Sequence, residues 1–192
     1  MTAEKCAAVF LTADATKKAE TLDAAFPNCV CEPWALTSEG GEGIDNGEVL
    51  ARLLTTPDAY DEDAEALLTS KLTQIYAMGM SVVRQGASSE EINATIAELL
   101  TGGAEQRRLF GAIVMRAAHL RAYADEDELG RWFGVYATED RGKRHHGDIL
   151  GTKVSKGKQQ RRRHRLAADM LPLVVRAEDP DDLITSLRAA GI

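Results

Sequence analysis

A chain of 192 residues, 44% hydrophobic and 28% charged, is long enough to bury one full core and has too much apolar content to be largely disordered. No run of 18 apolar residues occurs, and the first 18 residues, MTAEKCAAVFLTADATKK, place an acid before the first lysine, so neither a spanning helix nor a secretory signal is expected. The location implied is cytoplasmic, and Cys6, Cys29 and Cys31, an odd set without framework spacing, are expected to be reduced.

Residues 5 to 12, KCAAVFLT, read as a buried strand, and the following ATKKAETLDAAF reads as a helix with Asp14 as its cap and Pro27 as its stop. With CVCEPWALT at 29 to 37 as a second strand, bulged or at an edge because of Pro33, residues 1–45 form a small strand-helix-strand unit. SEGGEGIDNGE, at 38 to 48, has four glycines, four acids and no basic residue. It therefore reads as a loop and not as a phosphate cradle.

A short helix is expected at GEVLARLL. Residues 61–84 place Leu67, Leu68, Leu72, Ile75, Met78 and Val82 at helical spacing, Ser88 and Glu91 form a capping box for a helix through Leu100, and a third helix is expected over 104–123. With aromatics at only 5% and Ala and Leu abundant, the fold class expected is α+β but predominantly α-helical, a single domain over 1–192. A three-helix core at about 61–123 lies within a helical bundle spanning 46–130. Over 131–192, RWFGVYATE reads as a strand or apolar plug, followed by a basic loop and helix, a strand at 171 to 177 and a C-terminal helix with Asp179 as cap and Pro180 at its first position.

The feature that points to function is the segment 141 to 165, RGKRHHGDILGTKVSKGKQQRRRHR. Ten Lys and Arg against one acid, Asp148, give it +9, so a chain of −7 carries −16 over its other residues. Glycines at 142, 147, 151 and 157 make its first part a flexible loop, and from Lys158 a helix sets Lys158, Arg161, Arg162 and Arg165 opposite Leu166, Ala167, Met170 and Leu171. Arg163 falls on the apolar side, so either its guanidinium snorkels outward or the helix starts later. A like-charged block of this kind suits a polyanion, whose phosphates replace condensed counterions. The expected function is therefore a non-enzymatic nucleic-acid-associated protein, a subunit or accessory factor of a nucleoprotein assembly with nucleic acid, DNA or RNA, and protein as partners and no membrane. Its phosphate contacts are assigned to Arg141, Lys143, Arg144, Lys153, Lys156, Lys158, Arg161, Arg162 and Arg165. Arg107, Arg108, Arg116 and Arg121 offer a second basic surface.

The alternatives are an acidic regulatory or inhibitory protein-interaction factor, and a small hydrolase or phosphotransfer enzyme using His145, His146 and Asp148. Cys29 and Cys31 with His145 and His146 would make a Cys2His2 zinc set, although the C-x-C spacing is not the usual one. No cofactor motif is present, and no nucleophile or glycine-rich phosphate loop accompanies the histidines. Binding is therefore expected in preference to catalysis.

Overall fold

The computed structural model describes residues 2–37, 42–101, 106–125, 130–139 and 142–192. The first element is a helix, α1 (Ala3–Thr12), and not the strand expected there. Its Cys6, Ala7 and Phe10 recur at helical spacing and are buried. Asp14 caps a 3-10 turn by accepting from Thr16 N–H, and α2 (Lys18–Ala25) follows. Residues 29 to 37, expected as a strand, are turns as far as Pro33 followed by an isolated bridge from Trp34 to Glu42; Asn28 and Cys29 are left-handed, and Cys31 is disulfide-bonded to Cys6. The expectation of three reduced cysteines is thereby corrected, and Cys29 alone is a free, buried thiol.

From Val49 onward the molecule departs most from a helical bundle. GEVLARLL becomes a strand, β1 (Val49–Thr56). The expected helix 61–84 is instead a hairpin of β2 (Tyr60–Asp61) and β3 (Ala66–Leu67), a 3-10 helix at Lys71–Tyr76 and β4 (Met80–Arg84). The capping-box helix is present as α3 (Ser89–Thr101), where Ser88 Oγ accepts from Glu91 N–H and Glu91 Oε2 accepts from Ser88 N–H. The expected helix 104–123 is mostly strand: β5 (Arg108–Arg116) runs directly into the short α4 (Ala117–Arg121). Of the strand or apolar plug expected at RWFGVYATE, the strand is found, β6 (Phe133–Ala137), while β7 (His146–Gly151) replaces much of the flexible basic loop. Of the last elements, the helices α5 (Lys156–Met170) and α6 (Pro180–Ala190) fall where helices are expected, with Asp179 accepting from both Asp181 and Asp182 N–H, whereas the strand expected over 171 to 177 is a 3-10 helix at Leu171–Leu173 followed by the short β8 (Val174–Arg176).

Six strands form one antiparallel sheet in the order β6-β7-β4-β1-β5-β8. The fold is therefore a sheet-rich α+β structure, not a three-helix core. Alternation assigns the faces. Leu50, Leu54, Ile113, Val82, Ile149 and Val135 point to one side, where Leu166, Ala167 and Met170 of α5 pack with Leu72 and Ile75. Ala51, Leu53, Val83 and Ala112 point to the other, against Ile92 and Ile96 of α3 and Leu183 and Leu187 of α6. Tyr136 and Leu150, alternating with Val135 and Ile149, receive α1 and α2. Each large side chain so buried stabilises the fold by roughly 1.5–3 kcal/mol. Gly111 is required where β8 closes the edge: its φ is +147°, and a Cβ there would lie 2.0 Å from Val175 O.

Candidate nucleic-acid interface

The basic segment does not present its cations as one surface. Arg141 lies outside the described residues. Lys143 is buried, its Nζ 2.6 Å from Glu98 Oε2. Arg144 is exposed in the turn before β7. Lys153 is exposed, with its Nζ 3.6 Å from Glu20 Oε1 and its backbone N–H donating to Asp23. Lys156 is exposed at the start of α5, but at 100° per residue it lies on the far side of the helix from Arg165.

Within α5 the expected cationic stripe needs one correction. Arg162 stands one turn before Leu166 and two before Met170, so it shares their inward face and is only 3% exposed. Its Nη2 donates to Asp125 Oδ2 at 2.7 Å, its Nη1 to Thr152 Oγ1 at 3.1 Å, and its guanidinium lies 5.2 Å from the Trp132 ring centroid. Arg163 meets neither expectation: the helix starts earlier, at Lys156, and the half-buried guanidinium turns into the protein, donating to Thr69 O at 3.1 Å while its Nε is buried without a hydrogen-bond partner among the described residues. Lys158, Arg161 and Arg165 remain within about 60° of arc on the outer flank. Arg161 and Arg165 are exposed, Lys158 half-buried.

These three side chains border a groove that no sequence motif marks. Tyr123 and Trp132 stack with centroids 5.3 Å apart. They form a wall of an open groove of about 750 Å³ that also takes His119, Arg165, Asp169 and Leu173. A side cavity of about 260 Å³ continues it under Lys158, Arg161 and Arg165. Two acids hold the arrangement: Trp132 Nε1 donates to Asp125 Oδ1 at 2.9 Å, and Asp169 Oδ2 accepts from Tyr123 Oη at 2.8 Å and from Arg165 Nε at 2.7 Å. The hydrogen bonds from Arg162 and Arg165 hold the Asp125 and Asp169 carboxyls below their ordinary pKa, so both are ionised. Burial, and next Asp169, push the Tyr123 phenol well up. Among the described residues, four cations against two carboxylates leave the groove margin positive. The sequence signal for it was the aromatic pair in RWF and the lone tyrosine ahead of ADEDELG; their meeting across the fold has no sequence periodicity to reveal it.

The other candidates are dispersed. Arg107 donates to Leu99 O and pairs with Asp58, Arg108 pairs with Glu62, Arg116 donates to Gly47 O, and Arg121 binds Glu32, Asn46 and Ile44 O. No second basic surface results. His145 Nδ1 meets Glu91 Oε2 at 2.9 Å, whereas Thr138 Oγ1 lies 3.0 Å from His146 Nδ1 and donates to Asp148 Oδ2 at 2.8 Å. His146 and Asp148 are thus linked through Thr138, with His145 elsewhere. The Cys2His2 set is not assembled, because Cys31 is in the disulfide and no group of three metal-ligating side chains occurs among the described residues. Nor, among those residues, is any helix long and apolar enough to cross a membrane.

No protein-family model matches the chain, and comparison with curated proteins and with solved structures gives no match.

Proposed function

We propose that the protein is a non-enzymatic nucleic-acid-associated factor whose contact surface is the outer flank of α5 together with the Trp132–Tyr123 groove. The observation that carries the reading is the placement of Lys158, Arg161 and Arg165 along the margin of a groove walled by a stacked aromatic pair. Single strands are held by this combination elsewhere: cations follow the phosphates, and a base stacks on an aromatic face at roughly 1–3 kcal/mol per base. Arg165 would exchange Asp169 for a phosphate, and Arg161 would meet the next one. Lys143 and Arg162, being buried and paired, have no part in the contact. The mechanism is electrostatic and largely independent of sequence.

The test is titration with a fluorescently silent oligo(dT) or oligo(U) while following tryptophan emission. Stacking on Trp132 quenches the signal, and Trp132→Phe abolishes the quench while weakening binding. A protein whose emission does not respond to either oligonucleotide at low salt contradicts the reading.

A further inference from the structure

The second site lies in the sheet itself. β1 is paired with β5 from Val49 to Thr56, but with β4 only at Leu50↔Arg84 and Ala51↔Val83. β4 meanwhile keeps its pairing to β7 from Met80 to Val83. Beyond Ala51 the two central strands therefore part, and a cleft of about 280 Å³ is lined by both of them, by α3 and by Lys143 and His146. Parting two central strands leaves ladder groups without their usual partners. Arg52 Nη1 reaches across the gap and donates to Ser81 O at 2.9 Å.

The charges around the opening do not cancel. Among the described residues four cations, Arg52, Lys71, Arg107 and Lys143, line it against two carboxylates, Asp58 and Glu98, and Asp148, hydrogen-bonded to Ser81 on the same wall, also acts on Arg52, which leaves an excess of one positive charge within a chain of −7. Asp58 is taken by Lys71 and by Arg107 at 2.8 Å, and Glu98 by Lys143 at 2.6 Å. Among the described residues Arg52 forms no salt bridge, and its one hydrogen bond goes to a neutral carbonyl. Burial holds its pKa below the ordinary guanidinium value, with Asp148 and Asp58 opposing that shift from longer range. A guanidinium has five donors, and one with a single neutral acceptor in a recess is poised for a carboxylate or phosphate. Ser81, Thr95 and His146 add hydrogen-bonding groups on the same walls.

We propose that the cleft between β1 and β4 binds a small dianion through its carboxylate or phosphate oxygens, with Arg52 as the anchor and Lys71 and Arg107 as flanking charges. Its volume lies at the lower end of small-molecule sites and leaves no room for a nucleic-acid strand. The site is therefore independent of the α5 groove.

The experiment is isothermal titration at fixed ionic strength with inorganic phosphate and with succinate, and sodium chloride as the control. One of the two anions should bind saturably at one site per chain. Arg52→Lys, which keeps the charge but loses the guanidinium fork, should weaken that binding at least about tenfold. If Arg52→Lys does not fold, Lys71→Ala at a part-exposed side chain should weaken it several-fold. Arg161→Gln with Arg165→Gln should leave it unchanged. Absence of saturable binding of both anions at millimolar concentration overturns the proposal, as does affinity equal to the parent's in Arg52→Lys or, where that variant does not fold, in Lys71→Ala.

Discussion

Arg162 lies beneath the surface that its neighbours form, with its guanidinium 5.2 Å from the centre of the Trp132 ring. One residue away, Arg161 is exposed. Two adjacent arginines of one basic run thus have different roles: Arg162 holds the groove wall in place by tying α5 to Asp125 and Trp132, and Arg161 faces solvent at its rim.

Arg162→Ala should accordingly destabilise the protein, and Arg161→Ala should not. Removing one partner of a fully buried ion pair costs about 3–5 kcal/mol. Asp125 is a quarter exposed, so its charge is partly solvated once alone, and about 2–3 kcal/mol is expected. Arg161→Ala should lie within about 0.5 kcal/mol of the parent. Urea denaturation of both variants measures the difference.

The link between Cys6 and Cys31 closes a loop of sequence separation 25 that contains α2. Chain-entropy arguments give such a crosslink about 3 kcal/mol. Cys6→Ser with Cys31→Ser should lower the urea midpoint, and the parent protein under reducing conditions should match the double variant. Identical midpoints with and without reductant would show that the crosslink contributes nothing.

Stability should fall at alkaline pH. Burial raises the Cys29 thiol from its ordinary value near 9 to about 11, and burial with the neighbouring Cys29 and Glu32 also raises the Tyr136 phenol. Both are neutral acids that the folded state keeps protonated, so the stabilisation they carry is complete below the unfolded value and is lost as pH rises through the folded one. For Cys29 that window is about pH 9 to 11, with a loss on the order of 3 kcal/mol. Cys29→Ser should flatten this limb in a series of urea titrations from pH 7 upward.

What was legible in the sequence was whatever announced itself at an element's end. Ser88 with Glu91, and Asp179 with Pro180, placed α3 and α6 because caps are local chemistry. The central strands were illegible for the opposite reason. β1 and β5 are covered on both faces, so VLARLLTT and LFGAIVM carry apolar residues at spacings of two, three and four alike, and periodicity cannot separate strand from helix. Gly111 was the available warning, since a glycine inside such a run marks close backbone approach, here by β8. The basic segment was legible as charge but not as surface. Whether an arginine faces Leu166 or solvent could be read from helix phase, but Asp125, Glu98 and Glu20 come from three other parts of the chain.

The salt dependence of single-strand binding tests the role of the α5 flank most directly. The logarithm of the association constant for an oligo(dT) should fall linearly with the logarithm of salt concentration. Replacing Lys158, Arg161 and Arg165 together by Gln should reduce that slope by about 2, roughly 0.7 for each phosphate that is no longer neutralised. An unchanged slope and affinity in the triple variant would contradict the assignment of the α5 flank as the contact surface.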